Sequence, residues 1–264
     1  MYLRQNQEIQ FCNIGMTDLI TQPFPFSAFL LAGGIGSRLK TVVSDRPKPM
    51  ALIGDQPFLE ILIESLAQKG IQRIVLLTGY MSEHIETFAH KYRSSDISIE
   101  ISRETTPLGT GGAVKNAQQF ATNPTLLVNG DTYFDADIAR LFEFHNKTDA
   151  IVTLSLCKVP DVSRYGSVLL KPSGMIQEFQ EKSEISDGPG LINAGFSMVS
   201  YDLISNLPDN KVFSMEKDIF PSLVSSGSMY GLEQTGAFFD IGTPHSYAEF
   251  IDFIYPAKKD ASKP

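Results

Sequence analysis

Ser27–Leu39 reads SAFLLAGGIGSRL, an apolar run that breaks into a glycine-rich turn and then an arginine. The run has the length and composition of a buried strand, and the glycines mark where it stops. A strand opening into such a turn is how an α/β sheet presents backbone N–H groups to an anion. The familiar nucleotide fingerprints fail here. Gly34-Ile35-Gly36-Ser37-Arg38-Leu39 lacks the third glycine of GxGxxG, no acidic residue caps a second strand about 20 positions on, and the GK[ST] of a P-loop is missing. What remains is backbone at Gly33, Gly34 and Gly36 that can approach a ligand closely, followed by a cation at Arg38.

Further along, Lys48 sits in Arg46–Met50 (RPKPM), where Pro47 and Pro49 stiffen the loop that carries it. Two cations on adjoining loops could straddle a triphosphate; the bland alternative is a plain turn with a solvated lysine. Asp131 in Leu126–Phe134 (LLVNGDTYF) and Asp240 in Ala237–Pro244 (AFFDIGTP) each follow an apolar strand, a costly place for a carboxylate unless it is paired or binds metal. Together they offer hard oxygen ligands to Mg²⁺; singly, a strand-end Asp is more often a turn former or a helix cap. Pro107–Ala113 (PLGTGGA) is a second glycine turn, leading into a helix N-terminus.

Around these motifs, apolar strands and helical patterns alternate from Phe26 onward. Pro57 opens a helix that Gly70 stops, Ser82 is read as the cap of a helix reaching about Lys91, and the stretch from Gly109 starts a third. Up to residue 148 the order reads βαβαβαβ, with a ligand crevice expected at the carboxyl ends of the strands. Beyond it come strands and a hairpin, a helix from about Met215 that Pro221 should end or kink, and a last helix from Pro244. The expected domains are an N-terminal extension (1–25), one α/β domain (26–254) with halves 26–148 and 149–254, and a tail (255–264). Met16 could be an alternative start, a point the sequence alone does not decide.

A net charge of −8 over 264 residues, with no Lys/Arg block, argues against a nucleic-acid binder, and no apolar run is long enough for a membrane span. Cys12 and Cys157 have neither disulfide-framework nor zinc spacing, which points to a reducing cytoplasm. His84, His90, His145 and His245 are read as exposed, and no Ser-His-Asp order or GxSxG supports a hydrolytic triad.

In their order, LAGGIGSRL, RPKPM, PLGTGGA, NGD (129–131), EK (181–182), NAG (193–195) and FFDIGTPHSY (238–247) resemble the sugar-1-phosphate nucleotidylyltransferases, from about Ala28 to Phe253. Pro160–Val168 (PDVSRYGSV), Gly188–Phe196 (GPGLINAGF) and the last motif look most like the D-glycero-α-D-manno-heptose 1-phosphate guanylyltransferases of that family. Ser37 replaces the threonine usual in the first motif.

The resemblance implies a Rossmann-like, mixed but mainly parallel sheet in a three-layer α/β/α fold, and transfer of a nucleotidyl group from an NTP, GTP favoured, to a sugar 1-phosphate with release of pyrophosphate. Mg²⁺ is the implied cofactor, held by Asp131 and Asp240; Arg38 and Lys48 complete the catalytic set. Leu31, Ala32, Gly33, Gly34, Gly36, Ser37, Gly79, Tyr80, Glu104, Gly109 and Thr110 are implied to bind nucleotide, and Gly130, Tyr165, Gly166, Glu181, Lys182 and Asn193 the sugar phosphate. Other pairings remain open, namely mannose 1-phosphate with GTP or glucose 1-phosphate with TTP, UTP or CTP, as does a catalytically silent nucleotide-sugar sensor. A homo-oligomer is left open too.

Overall fold

The structure, a computed structural model, describes residues 23–34, 39, 43–92, 94, 96–180 and 188–256. The elements run β1 (Ala28–Leu31), β2 (Leu52–Ile53), β3 (Gln56–Pro57), α1 (Phe58–Gln68), β4 (Arg73–Thr78), α2 (Ser82–Lys91), β5 (Ser98–Arg103), α3 (Gly109–Asn116), β6 (Thr125–Asn129), β7 (Thr132–Phe134) and α4 (Ile138–Thr148). They continue with β8 (Val152–Val159), β9 (Ser167–Leu170), β10 (Ile176–Gln180), β11 (Gly190–Val199), α5 (Tyr201–Asn206), α6 (Phe220–Ser225), β12 (Met229–Glu233), β13 (Phe238–Asp240) and α7 (Pro244–Ile254).

A nine-stranded mixed sheet has the order β10-β9-β11-β6-β1-β4-β5, with β8 against β11 and β12 against β8. β6, β1, β4 and β5 pair in parallel. β11 joins them antiparallel through β6 and carries β8 and β9. The buried strands read as continuous apolar runs because both faces of the sheet are covered. Ala28, Leu30, Ile74, Leu76, Leu126 and Val128 meet one core with Phe58, Leu62 and Phe250 of α1 and α7. The intervening Phe29, Val75, Leu77 and Leu127 meet the other with Val114, Ile204 and Phe220 of α3, α5 and α6.

The chain places β4 and β5 to one side of β1, then returns to set β6 on its other side. Strand order reverses between β1 and β6, so the connections leaving their carboxyl ends part and leave a crevice. β7 and β13 form a separate antiparallel pair beside it, with Asp240 opposite Thr132.

Local signals hold at several ends. Gly70, with φ +91°, follows the C-cap of α1; its N–H donates to Ala67 O at 2.9 Å and Ile71 N–H to Leu66 O at 3.1 Å, which satisfies two orphan carbonyls. Met215–Ile219 is a π-helical turn, and Pro221 lies in the first turn of α6, where its missing N–H needs no partner.

Three expectations need correction. Ser82 is the first helical residue of α2 rather than its cap, because Met81 takes a left-handed conformation (φ +52°) and turns the chain one residue earlier. Asp131 does not end a buried strand: β6 stops at Asn129, and the Gly130–Asp131 turn leaves the Asp131 side chain 42% exposed. His84, His90 and His245 are exposed as expected, but His145 is buried on the inner face of α4, with Nδ1 2.9 Å from Thr153 Oγ1. Cys157 is a buried free thiol, and Cys12 lies outside the described residues. No helix among the described residues is long and apolar enough to cross a membrane.

Candidate active site

The crevice between β1 and β6 opens into a cleft of about 680 Å³. One wall is the glycine turn, where Leu31, Gly33 and Gly34 face the space. Ala32 N–H donates to Leu77 O at 2.8 Å and Tyr80 N–H to Gly33 O at 3.3 Å, which ties the turn to Gly79 and Tyr80 at the end of β4. A Cβ on Gly33 would stand 3.1 Å from Glu104 Oε1, and one on Gly79 would collide with the same side chain. Glycine is therefore what lets the Glu104 carboxylate lie over this backbone. Its Oε2 accepts the Leu108 N–H at 3.1 Å, while burial pushes its pKa above the ordinary glutamate value.

The next wall is the start of α3. Gly109 has φ +74° and packs on the Phe213 carbonyl, which also accepts the Gly111 N–H at 3.0 Å. Thr110 Oγ1 donates to Glu216 Oε2 at 2.7 Å. On the far side Tyr165, Gly166 and Asn193 line the cleft. The β8–β11 register shifts between Asn193 and Ser197, and Gly195 takes φ +80° against Asn129, so the chain bends where Asn193 meets the cleft. Asn193 Oδ1 accepts the Gly195 N–H at 3.0 Å.

Lys48, Asp131 and Asp240 meet in the same cleft. Lys48 Nζ is 2.7 Å from Asp131 Oδ2 and 3.3 Å from Asp240 Oδ1, and the lysine side chain is only 9% exposed. Ile241 N–H donates to Asp131 O at 3.1 Å, which extends the β7–β13 pairing and brings the two aspartates side by side. Gly242 closes the arrangement: its N–H donates to Asp240 Oδ1 at 2.7 Å. Arg164 Nη2 lies 4.0 Å from Asp240 Oδ2. Among the described residues no cluster of three or more His, Cys, Asp or Glu could hold a metal ion. The donor set is the aspartate pair, hard oxygens already gathered about one cationic group, and it fits an ion that takes its remaining ligands from phosphate and water.

Of the residues singled out in the sequence, Leu31, Gly33, Gly34, Lys48, Gly79, Tyr80, Glu104, Gly109, Thr110, Asp131, Tyr165, Gly166, Asn193 and Asp240 line this one cleft. Ala32 and Gly130 are buried in its wall; the Gly130 N–H donates to Leu31 O at 3.1 Å, and a Cβ there would press on that carbonyl. Gly36, Ser37, Arg38, Glu181 and Lys182 lie outside the described residues. Asn129, Thr132, Phe179, Glu216 and Phe238 also line the cleft and are not singled out by the sequence. Asn129 and Phe238 lie inside the NGD and FFDIGTPHSY motifs, whereas Thr132, Phe179 and Glu216 left no signal of their own.

Residues 27–255 match the model of the family described as "Nucleotidyl transferase". The D-glycero-alpha-D-manno-heptose 1-phosphate guanylyltransferase of Aneurinibacillus thermoaerophilus is 39% identical over 222 residues, 83% of this chain and 94% of that protein. The mannose-1-phosphate guanylyltransferase of Mycobacterium tuberculosis is 34% identical over 87% of this chain and 66% of its own. A crystal structure of HddC from Yersinia pseudotuberculosis complexed with GMP-PN superposes with a TM-score of 0.77 at 34% identity, covering 86% of this chain and 99% of that one.

Proposed function

The chain belongs to the nucleotidyl transferase family, and on that premise we propose that it transfers a guanylyl group from GTP to D-glycero-α-D-manno-heptose 1-phosphate. The observation that carries this reading is the convergence of Lys48, Asp131 and Asp240 opposite a wall of glycine backbone, at the switch point of the sheet. The heptose and GTP assignment draws on the 39% identical relative, which spans 83% of this chain, and on the GMP-PN complex of the HddC structure. The chemistry of the base adds to it. Guanine presents two adjacent donors, N1–H and the N2 amino group, and Glu104 offers a half-buried carboxylate beside Gly33 and Gly79.

In the reaction an oxygen of the sugar 1-phosphate attacks the α-phosphorus of GTP, the bond from that phosphorus to the β-phosphate bridge breaks, and pyrophosphate leaves. The attacking phosphate is largely dianionic at neutral pH and needs no general base, in keeping with a cleft that holds no histidine among its described lining. Leu31, Gly33, Gly34, Gly79, Tyr80, Glu104, Gly109 and Thr110 seat the nucleotide, a role in which the family resemblance includes Gly36 and Ser37. Lys48, joined by Arg38, leaves the aspartates to neutralise the triphosphate. Tyr165, Gly166, Asn193, Glu181 and Lys182 orient the sugar phosphate. Asp131 and Asp240 would hold Mg²⁺, which when bound supplies positive charge to the phosphoryl oxygens. A nucleoside triphosphate as co-substrate argues for a cytoplasmic reaction.

The test is pyrophosphate release from a matrix of GTP, TTP, UTP, CTP and ATP against heptose, mannose and glucose 1-phosphates, with EDTA controls. Turnover of GTP with the heptose ester, lost in EDTA, supports the reading. Preference for another pair, or turnover indifferent to EDTA, overturns the substrate or the metal assignment respectively.

A further inference from the structure

Glu216 lines the cleft and has no part in the reaction described so far. It stands on the π-helical turn Met215–Ile219, a geometry that concentrates at functional positions. Its Oε2 accepts from Thr110 Oγ1 at 2.7 Å and from Ser214 Oγ at 2.6 Å, while Met215 N–H donates to Thr110 Oγ1 at 2.9 Å. One carboxylate oxygen is thus saturated by two hydroxyls, and the side chain is locked between the start of α3 and the turn. Among the described residues, no Lys, Arg or His pairs with it, and no hydrogen bond satisfies Oε1.

A half-buried carboxylate without a cation repels phosphate. It is matched instead by a neutral, donor-rich group, because hydroxyls bound to a carboxylate make charge-assisted hydrogen bonds. Guanine's donors already face Glu104 in the proposed complex, which leaves the ligand's hydroxyls. We propose that Glu216 is a specificity-determining residue that accepts the hydroxyls of a vicinal diol of the substrate, on the nucleotide ribose or on the sugar ring. The inference rests on the reading of this cleft as a site for an NTP and a sugar 1-phosphate.

Two variants separate recognition from bracing. In Glu216→Gln the amide oxygen still accepts from Thr110 and Ser214, but an NH₂ replaces the diol acceptor; Glu216→Ala removes both functions. Initial rates are measured with the pair that the wild-type chain turns over best in the substrate matrix, so a wrong substrate assignment and a wrong role for Glu216 give separate results. For a chain that turns over no pair, calorimetric binding of each NTP and each sugar 1-phosphate supplies the same comparison.

In Glu216→Gln, KM for one substrate should rise about tenfold to a hundredfold, with an unchanged melting temperature and the other KM within about twofold. If the ribose is the diol, the wild type discriminates against the 2′-deoxy and 3′-deoxy nucleotides and the variant does not. If the sugar is the diol, only its KM moves and deoxynucleotide discrimination persists. Both KM values unchanged in Glu216→Gln, or both rising together with a fall in melting temperature, would overturn the proposal and leave Glu216 as a brace for α3.

Discussion

Lys48 Nζ lies 2.7 Å from Asp131 Oδ2, so the residue proposed to grip the triphosphate also occupies the carboxylate proposed to bind metal. Asp240 shares the same ammonium at 3.3 Å. One positive charge holds two carboxylates together, and a divalent ion entering the pair must displace it. Lys48→Met should therefore raise the affinity of the ligand-free chain for Mn²⁺ or Mg²⁺, by about tenfold for a pair this close to the surface. The same substitution should lower kcat by about 10²–10³, since a charge that stabilises the transition state is lost. Calorimetric metal titration checks the first effect and steady-state rates the second. Weaker metal binding in the variant would show that Lys48 assists the metal site rather than competing with it.

Gly242 makes a sharper test of the same geometry. A Cβ there would stand 2.6 Å from Asp240 Oδ1 and 2.9 Å from Lys48 Nζ, closer than any ordinary contact. The backbone itself imposes no strain, because Gly242 is outside the left-handed region. Gly242→Ala should leave folding intact while pushing the carboxylate and the ammonium apart. The expected result is a kcat/KM lower by about tenfold or more, in line with the sensitivity of positioned groups to small displacements. Wild-type rates in this variant would mean that the pair rearranges freely.

Glu104→Gln addresses the base. A carboxylate accepts from both guanine N1–H and the N2 amino group, whereas a carboxamide places a donor against one of them. With hydrogen bonds to charged groups worth about 1.5–3 kcal/mol, kcat/KM for GTP should fall about tenfold to 150-fold. ITP lacks the N2 amino group, so the wild-type preference for GTP over ITP should shrink in the variant. A GTP/ITP ratio that does not change would remove Glu104 from base reading.

These three sites are legible in the sequence to different degrees. β1, β4 and β6 announce themselves as continuous apolar runs because helices cover both faces of their sheet, and the glycine turn after β1 marks the crevice. Asp131, Asp240 and Lys48 stand out as residue types, but nothing local says that they meet. Their meeting depends on β7 and β13, two strands of three residues each, too short for periodicity to show. Asp131 stands out by its place behind an apolar run, yet desolvation is not what governs it, since its side chain is half open to solvent and is held by an ion pair. Glu216 stays hidden because its importance comes from Thr110, on another element of the chain. His145 misleads because one histidine in an amphipathic helix does not reveal that its neighbour across the layer is Thr153.

That buried histidine gives the protein a defined acid sensitivity. His145 is 5% exposed, and burial holds its pKa down to about 4 against an ordinary value of 6.5, with the Asp149 carboxylate opposing the change. The unfolded chain takes up the proton near pH 6.5, while the folded chain resists it until about pH 4. Between those values the unfolded state binds more protons, so stability falls as pH falls. Above pH 6.5 the group contributes no loss; by pH 4 the loss approaches about 3 kcal/mol, at about 1.36 kcal/mol for each pH unit between the two values. His145→Asn keeps an amide near Thr153 and removes the titration. Urea unfolding at about pH 7.5 and about pH 4.5 should show the wild type losing about 2–3 kcal/mol more than His145→Asn over this interval. Parallel losses in the two proteins would assign the acid sensitivity to carboxylates elsewhere.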